Sequence, residues 1–89
     1  MIAIRTVKIT NRLGIHARAA AKLVEAARRF QADIFLEKDG LEVNGRSILG
    51  ILTLFCPPGS QVTIRAEGAD AEAALEAIAK LIGEKFGET

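Results

Sequence analysis

The chain has no tryptophan or tyrosine, a single cysteine, a single histidine and only two prolines, which are adjacent. Each shortage excludes something. One cysteine, Cys56, cannot close an internal disulfide, and one histidine plus one cysteine fall short of the three or four ligands of a zinc site. Four phenylalanines are the whole aromatic content, so the core has to be aliphatic and rich in alanine. RNA binding on a sheet face stacks bases on two or three aromatics, and only Phe35 is available for it. Acidic and basic residues are interspersed, with a formal net charge of +1, which leaves no electrostatic footprint for nucleic acid. Long apolar runs are missing too. The uncharged stretch from Ser47 to Ile64 is interrupted by Pro57-Pro58-Gly59-Ser60-Gln61 and is too short to span a bilayer. The opening Met1-Ile2-Ala3-Ile4-Arg5-Thr6-Val7-Lys8 lacks the apolar region of a secretory signal. Together these features predict a cytoplasmic protein of one domain, residues 1–89, with no membrane insertion, no metal and no cofactor.

What is present is strong local patterning. Residues Ile2 to Thr10 are largely β-branched, with Val7 and Ile9 on one face and Thr6, Lys8 and Thr10 on the other, which predicts a first strand. After the turn-rich Asn11-Arg12-Leu13-Gly14, the apolar Ala20, Leu23, Val24 and Ala27 recur at i, i+3, i+4 and i+7. That is an amphipathic helix, and Glu25 and Arg29 are spaced to pair on its outer face. A second strand follows at Asp33 to Lys38, with Ile34 and Leu36 inward and Phe35 on the polar side. Asp39-Gly40 is a tight-turn signal, so a third strand returns through Leu41-Glu42-Val43-Asn44. Ser47 is placed to cap a short helix containing Ile48, Leu49, Ile51 and Leu52, which Pro57-Pro58-Gly59 terminates. A fourth strand spans Gln61 to Glu67. Gly68-Ala69-Asp70 then offers an N-cap to a last helix with the stripe Ala71, Ala74, Leu75, Ile78, Leu81 and Ile82 and an outer Glu76–Lys80 pair. Gly83 and Gly87 predict a frayed end. Two long amphipathic helices and four half-apolar strands can bury their faces only against each other. The expected architecture is an α+β open-faced β-sandwich of order βαββαβα.

The chemistry concentrates where the first strand gives way to the first helix. His16 falls at or just before the first helical residue, where unpartnered backbone N–H groups and the helix dipole favour anions. Phosphoryl transfer needs a nucleophile, and an imidazole is partly neutral near pH 7 without a separate base. A phosphoryl group on His16 would meet the Arg18 guanidinium and the backbone N–H groups of Ala17 and Arg18. A cation in the first turn is mildly unfavourable on its own, so Arg18 makes better sense if an anion visits. Arg12 reads as solvated. A Cys56–His16 nucleophilic pair would lack an orienting third group, and Cys56 reads instead as a small buried hydrophobe.

The segment Gly14-Ile15-His16-Ala17-Arg18-Ala19-Ala20 resembles the phosphorylation-site signature of HPr, the histidine-containing phosphocarrier family of the bacterial phosphotransferase system. The family pattern is Gly-Leu-His-Ala/Thr-Arg-Pro-Ala, and Ala19 stands where proline is usual. Phe55 likewise replaces a small residue. Asn44-Gly45-Arg46-Ser47-Ile48-Leu49-Gly50 resembles the family segment whose serine is phosphorylated in some bacteria, and length and element order match throughout. The resemblance implies an antiparallel sheet of order 1-4-2-3 with the two long helices on one face and the short helix beside the His16 loop. It implies a monomeric, stoichiometric phosphocarrier rather than an enzyme. Such a carrier accepts a phosphoryl group on His16 from enzyme I and passes it to IIA-type proteins. Ser47 becomes a candidate phosphoserine for an HPr kinase/phosphorylase. Ile48, Leu49 and Leu52 form a candidate docking patch, since a short apolar helix cannot hide every side. The alternative is an HPr-like regulatory binding module, nitrogen-branch or Ser47-regulated, that acts through the short helix.

Overall fold

A computed structural model describes residues 1–88. Seven regular elements follow one another: β1 (Ile2–Lys8), α1 (Ala17–Ala27), β2 (Asp33–Lys38), β3 (Leu41–Asn44), α2 (Ile48–Thr53), β4 (Gln61–Glu67) and α3 (Ala71–Gly83), after which Lys85–Gly87 form a 3₁₀ turn. The four strands make one antiparallel sheet in the order β1-β4-β2-β3, as the family resemblance implied.

Alternation decides the two faces of this sheet. Val62, Ile64 and Ala66 of β4 and Ile34 and Leu36 of β2 are fully buried, and they meet Leu23, Val24, Ala27, Ala74, Leu75, Ile78 and Ile82 from α1 and α3. The other face stays open. There the Arg65 guanidinium lies 4.2 Å from the centre of the Phe35 ring and pairs with Glu42 and Glu67. That explains the aromatic on the polar side of β2, since a planar cation stacks on its face. Asp39 and Gly40, at φ 52° and 86°, form the expected turn between Lys38 and Leu41.

Four expectations change. First, β1 ends at Lys8, two residues before Thr10. Its partner β4 begins at Gln61, and Ile9 instead exchanges hydrogen bonds with Gly59 and Ser60 while its side chain is fully buried. Second, neither Glu25–Arg29 nor Glu76–Lys80 pairs among the described residues, and Glu76 reaches across to Arg5 on β1 instead. Third, the Asp70 side chain does not cap α3 but accepts from the Gln31 and Ala32 N–H groups at 2.9 and 2.8 Å, tying the α1–β2 loop to the start of α3. Those donors hold the Asp70 carboxyl below the usual carboxylate range, the Gln31 bond most of all. Fourth, the end of α3 is anchored rather than frayed: Lys85 and Phe86 take positive φ, and the Phe86 side chain is 1% exposed in the core. Burial of a whole aromatic, worth roughly 1.5–3 kcal/mol, offsets much of the roughly 1–2 kcal/mol per residue that the left-handed backbone costs at Lys85 and Phe86.

No helix among the described residues is long and apolar enough to cross a membrane.

Candidate functional site

Asn11 to His16 form the strap that delivers the histidine. Gly14 sits at φ +67° with its α-carbon pressed against the chain after α2: a Cβ built there would lie 2.3 Å from the Cys56 carbonyl oxygen. That close approach lets the Ile15 N–H reach the same oxygen at 2.9 Å, so the strap is pinned one residue before the histidine. His16 then adopts extended geometry (φ −91°, ψ −178°) as the N-cap of α1, and its own carbonyl accepts from the Ala20 N–H at 2.9 Å. An imidazole here does the job usually given to Ser, Thr, Asp or Asn.

The two ring nitrogens have different neighbours. Nδ1 accepts from the Arg18 backbone N–H at 3.2 Å, a long bond that leaves its lone pair aimed into the mouth of the helix. An Nδ1 acceptor puts the proton of the neutral ring on Nε2. Nε2 lies 2.8 Å from the Glu88 carboxylate, which accepts that proton's hydrogen bond. The N–H groups of Ala17 and Ala19 have no protein acceptor among the described residues. The Arg18 guanidinium is exposed and makes no ion pair among the described residues. With Arg12 and Lys22 it rims an open pocket of about 450 Å³ at whose wall His16, Phe86 and Glu88 lie. Arg12, Arg18 and Lys22, with the open N–H groups of Ala17 and Ala19 beside the imidazole, give this pocket the chemistry to receive an anion.

Sequence reasoning did not find Glu88 or the role of Asn11. Asn11 is fully buried; its Nδ2 donates to the Gly14 carbonyl at 2.7 Å and to Glu88 at 2.9 Å, while its Oδ1 has no partner among the described residues. The hydrogen bonds from His16 first and Asn11 second hold the Glu88 carboxyl below its usual range, against the opposing effect of burial. No periodicity or spacing relates residue 88 to residue 16.

The second motif is placed as expected. Ser47 caps α2, its Oγ accepting from the Gly50 N–H at 3.0 Å. Ile48 and Leu49 are 40% and 77% exposed, and Leu52 is half-buried against the core, so the outward patch is narrower than three full side chains. Phe55 just beyond is exposed and holds φ 51°, which explains why a small residue suits that position. Cys56 is buried, and burial pushes its thiol up, with Asp39 acting in the same direction and Lys38 against it. It is a poor nucleophile. Among the described residues no cluster of three or more His, Cys, Asp or Glu is placed to hold a metal ion.

A four-stranded open sandwich that presents a histidine as a helix N-cap beside an arginine defines a class of small α+β domains with an anion-receptive helix start. Comparison with known proteins narrows it. The family described as PTS HPr component phosphorylation site matches residues 3–84. The chain is 44% identical over 85 residues to the phosphocarrier protein HPr of Treponema pallidum, covering 96% of this chain and 97% of that one. It is 43% identical over 79 residues to the HPr-like protein Crh of Bacillus subtilis, covering 89% and 93%. The crystal structure of HPr from Thermoanaerobacter tengcongensis superposes with a TM-score of 0.94 at 44% identity over 98% of both chains. The chain belongs to the HPr family of the phosphotransferase system.

Proposed function

We propose that this protein is a cytoplasmic, monomeric phosphoryl carrier that accepts a group on His16 from phospho-enzyme I and passes it to IIA-type proteins, without turnover of its own. The observation that carries this reading is the Nδ1 lone pair of His16 directed into the mouth of α1. The Arg18 guanidinium and the Ala17 N–H would receive the phosphoryl oxygens, joined by the Arg18 N–H, which now donates to Nδ1 and is released once that nitrogen bonds phosphorus. The guanidinium's exposure suits a carrier, because a deeply paired phosphate would be trapped rather than handed on. Ser47 and the patch of Ile48, Leu49 and Leu52 would serve regulation by an HPr kinase/phosphorylase and docking of both partners.

Relatives named HPr and Crh match at similar identity, so likeness alone favours neither a carrier nor a regulatory module acting through α2. The intact His16 and Arg18 arrangement favours the carrier. The test is labelling: phosphoenolpyruvate plus enzyme I should add one acid-labile, alkali-stable phosphate to the wild type and none to a folded His16→Ala. Retained acid-labile label in that variant would refute the assignment.

A further inference from the structure

Glu88 deepens the proposed function, and its role rests on His16 being the acceptor. The carboxylate comes from the segment after α3 and is held in place on three sides. Phe86 is locked in the core two residues earlier, the Phe86 carbonyl is held by the Lys22 ammonium, and the buried Asn11 donates to the same Oε2 that faces His16. Asn11 gives one amide hydrogen to the strap at Gly14 and the other to Glu88, and its own oxygen has no partner among the described residues. A buried polar atom left without a partner is costly, so the amide is oriented for its donors, one of which serves Glu88.

We propose that Glu88 is a positioning residue for phosphoryl transfer, aiming His16 through its Nε2–H and balancing the charge the ring acquires. In the forward step the Nδ1 lone pair forms the new N–P bond, while the bond between phosphorus and the donor breaks and its electron pair leaves with the donor. No proton moves. The ring carries a positive charge once Nδ1 is bonded to phosphorus and Nε2 keeps its hydrogen, and the Glu88 carboxylate lies 2.8 Å from that nitrogen. On delivery the N–P electrons return to Nδ1 and the charge vanishes. A carboxylate on the far nitrogen therefore stabilises the transition state in both directions and keeps Nε2 protonated, the form from which phosphorus departs readily. It acts from the side of the ring opposite the phosphoryl group, so it does not compete with Arg18 for the oxygens. An acid that orients an imidazole through its second nitrogen is a recurrent device in nucleophilic sites.

The experiment compares wild type, Glu88→Gln, Glu88→Ala and His16→Ala. Glutamine keeps the acceptor oxygen and removes the charge. Glu88→Gln should melt like the wild type, be phosphorylated by enzyme I about five- to tenfold more slowly, since a charge-assisted bond is roughly twice as strong as a neutral one, and hold its phosphate longer at neutral pH. Glu88→Ala should be at least as slow. In ¹⁵N spectra of the unphosphorylated protein it should also lose the hydrogen-bonded Nε2–H signal that the wild type and Glu88→Gln show. Carboxyl titration of Glu88 in His16→Ala should move up toward 4.5, the ordinary value for this group. Wild-type or faster transfer in both Glu88 variants, with His16→Ala unlabelled, overturns the positioning role and leaves the carrier assignment standing. Label on His16→Ala overturns the assignment itself, and the proposal with it.

Discussion

Replacing Gly14 by alanine tests how the site is built. Two separate costs meet at this residue. The backbone sits at φ +67°, which costs an L-residue roughly 1–2 kcal/mol, offset by roughly 0.4–1 kcal/mol from the stiffer unfolded chain. In addition the new Cβ would stand 2.3 Å from the Cys56 carbonyl oxygen and 3.0 Å from the Pro57 α-carbon. Both are backbone atoms that cannot rotate away. The strap must lift, and the bond from Ile15 N–H to Cys56 O, 2.9 Å long, is lost or stretched, which adds about 1–3 kcal/mol. Gly14→Ala should therefore cost about 2–4 kcal/mol, or roughly 10–30 °C in melting temperature for a domain of this size. Gly40→Ala is the control, because its φ is +86° but nothing lies within 4 Å of the built Cβ. It should cost only about 0.5–1 kcal/mol, the conformational part alone. Urea denaturation of both variants separates the two costs. If Gly14→Ala is no less stable than Gly40→Ala, the contact with Cys56 is not what pins the strap. Where the variant stays folded, His16 should also transfer more slowly, since a displacement of about 1 Å at a reacting group can cost about a hundredfold.

Ala19→Pro should raise stability by about 0.4–1 kcal/mol, because the Ala19 N–H has no acceptor among the described residues to lose; a clear fall in melting temperature would show that this helix start is built around alanine. Ser47→Asp should leave circular dichroism and melting temperature nearly unchanged, since an acid at an N-cap suits the helix dipole. It should slow phosphorylation of His16 at low salt and less so at high salt; unaltered transfer there, together with wild-type behaviour of Leu49→Ala, would remove α2 as the docking surface. Asp70→Asn should be less stable than the wild type. The Asp70 carboxyl is held below its usual range, so its contribution is complete above the unfolded value near 4 and is lost as pH falls through the lower folded value. The stability gap between the two proteins should thus be widest at neutral pH and close in acid, and a gap unaffected by pH would refute the carboxylate's role.

Local signals carried much of the molecule. The bounds of β2, β3 and β4, the Asp39-Gly40 turn, the Ser47 cap and the placement of His16 at the head of a helix all follow from periodicity, turn chemistry and capping. Each of these is set by residues a few positions apart. The strand order came from family resemblance, because alternation says which side of a strand is buried but not which strand lies beside it.

Tertiary structure alone decided where the long polar side chains end. Asp70 has the composition of a helix cap, yet the α1–β2 loop brings two N–H groups within its reach, and it serves them instead. Glu76 faces Lys80 one turn away but meets Arg5 across the sheet edge. Gly83 and Gly87 read as the ending of α3, whereas the burial of Phe86 turns the segment after the helix into a bend that returns the chain to the site. Only that return puts Glu88 against His16, 72 residues away in sequence. A flexible carboxylate takes whichever donors the packed helices and loops bring close, and that choice is made only after the core has formed.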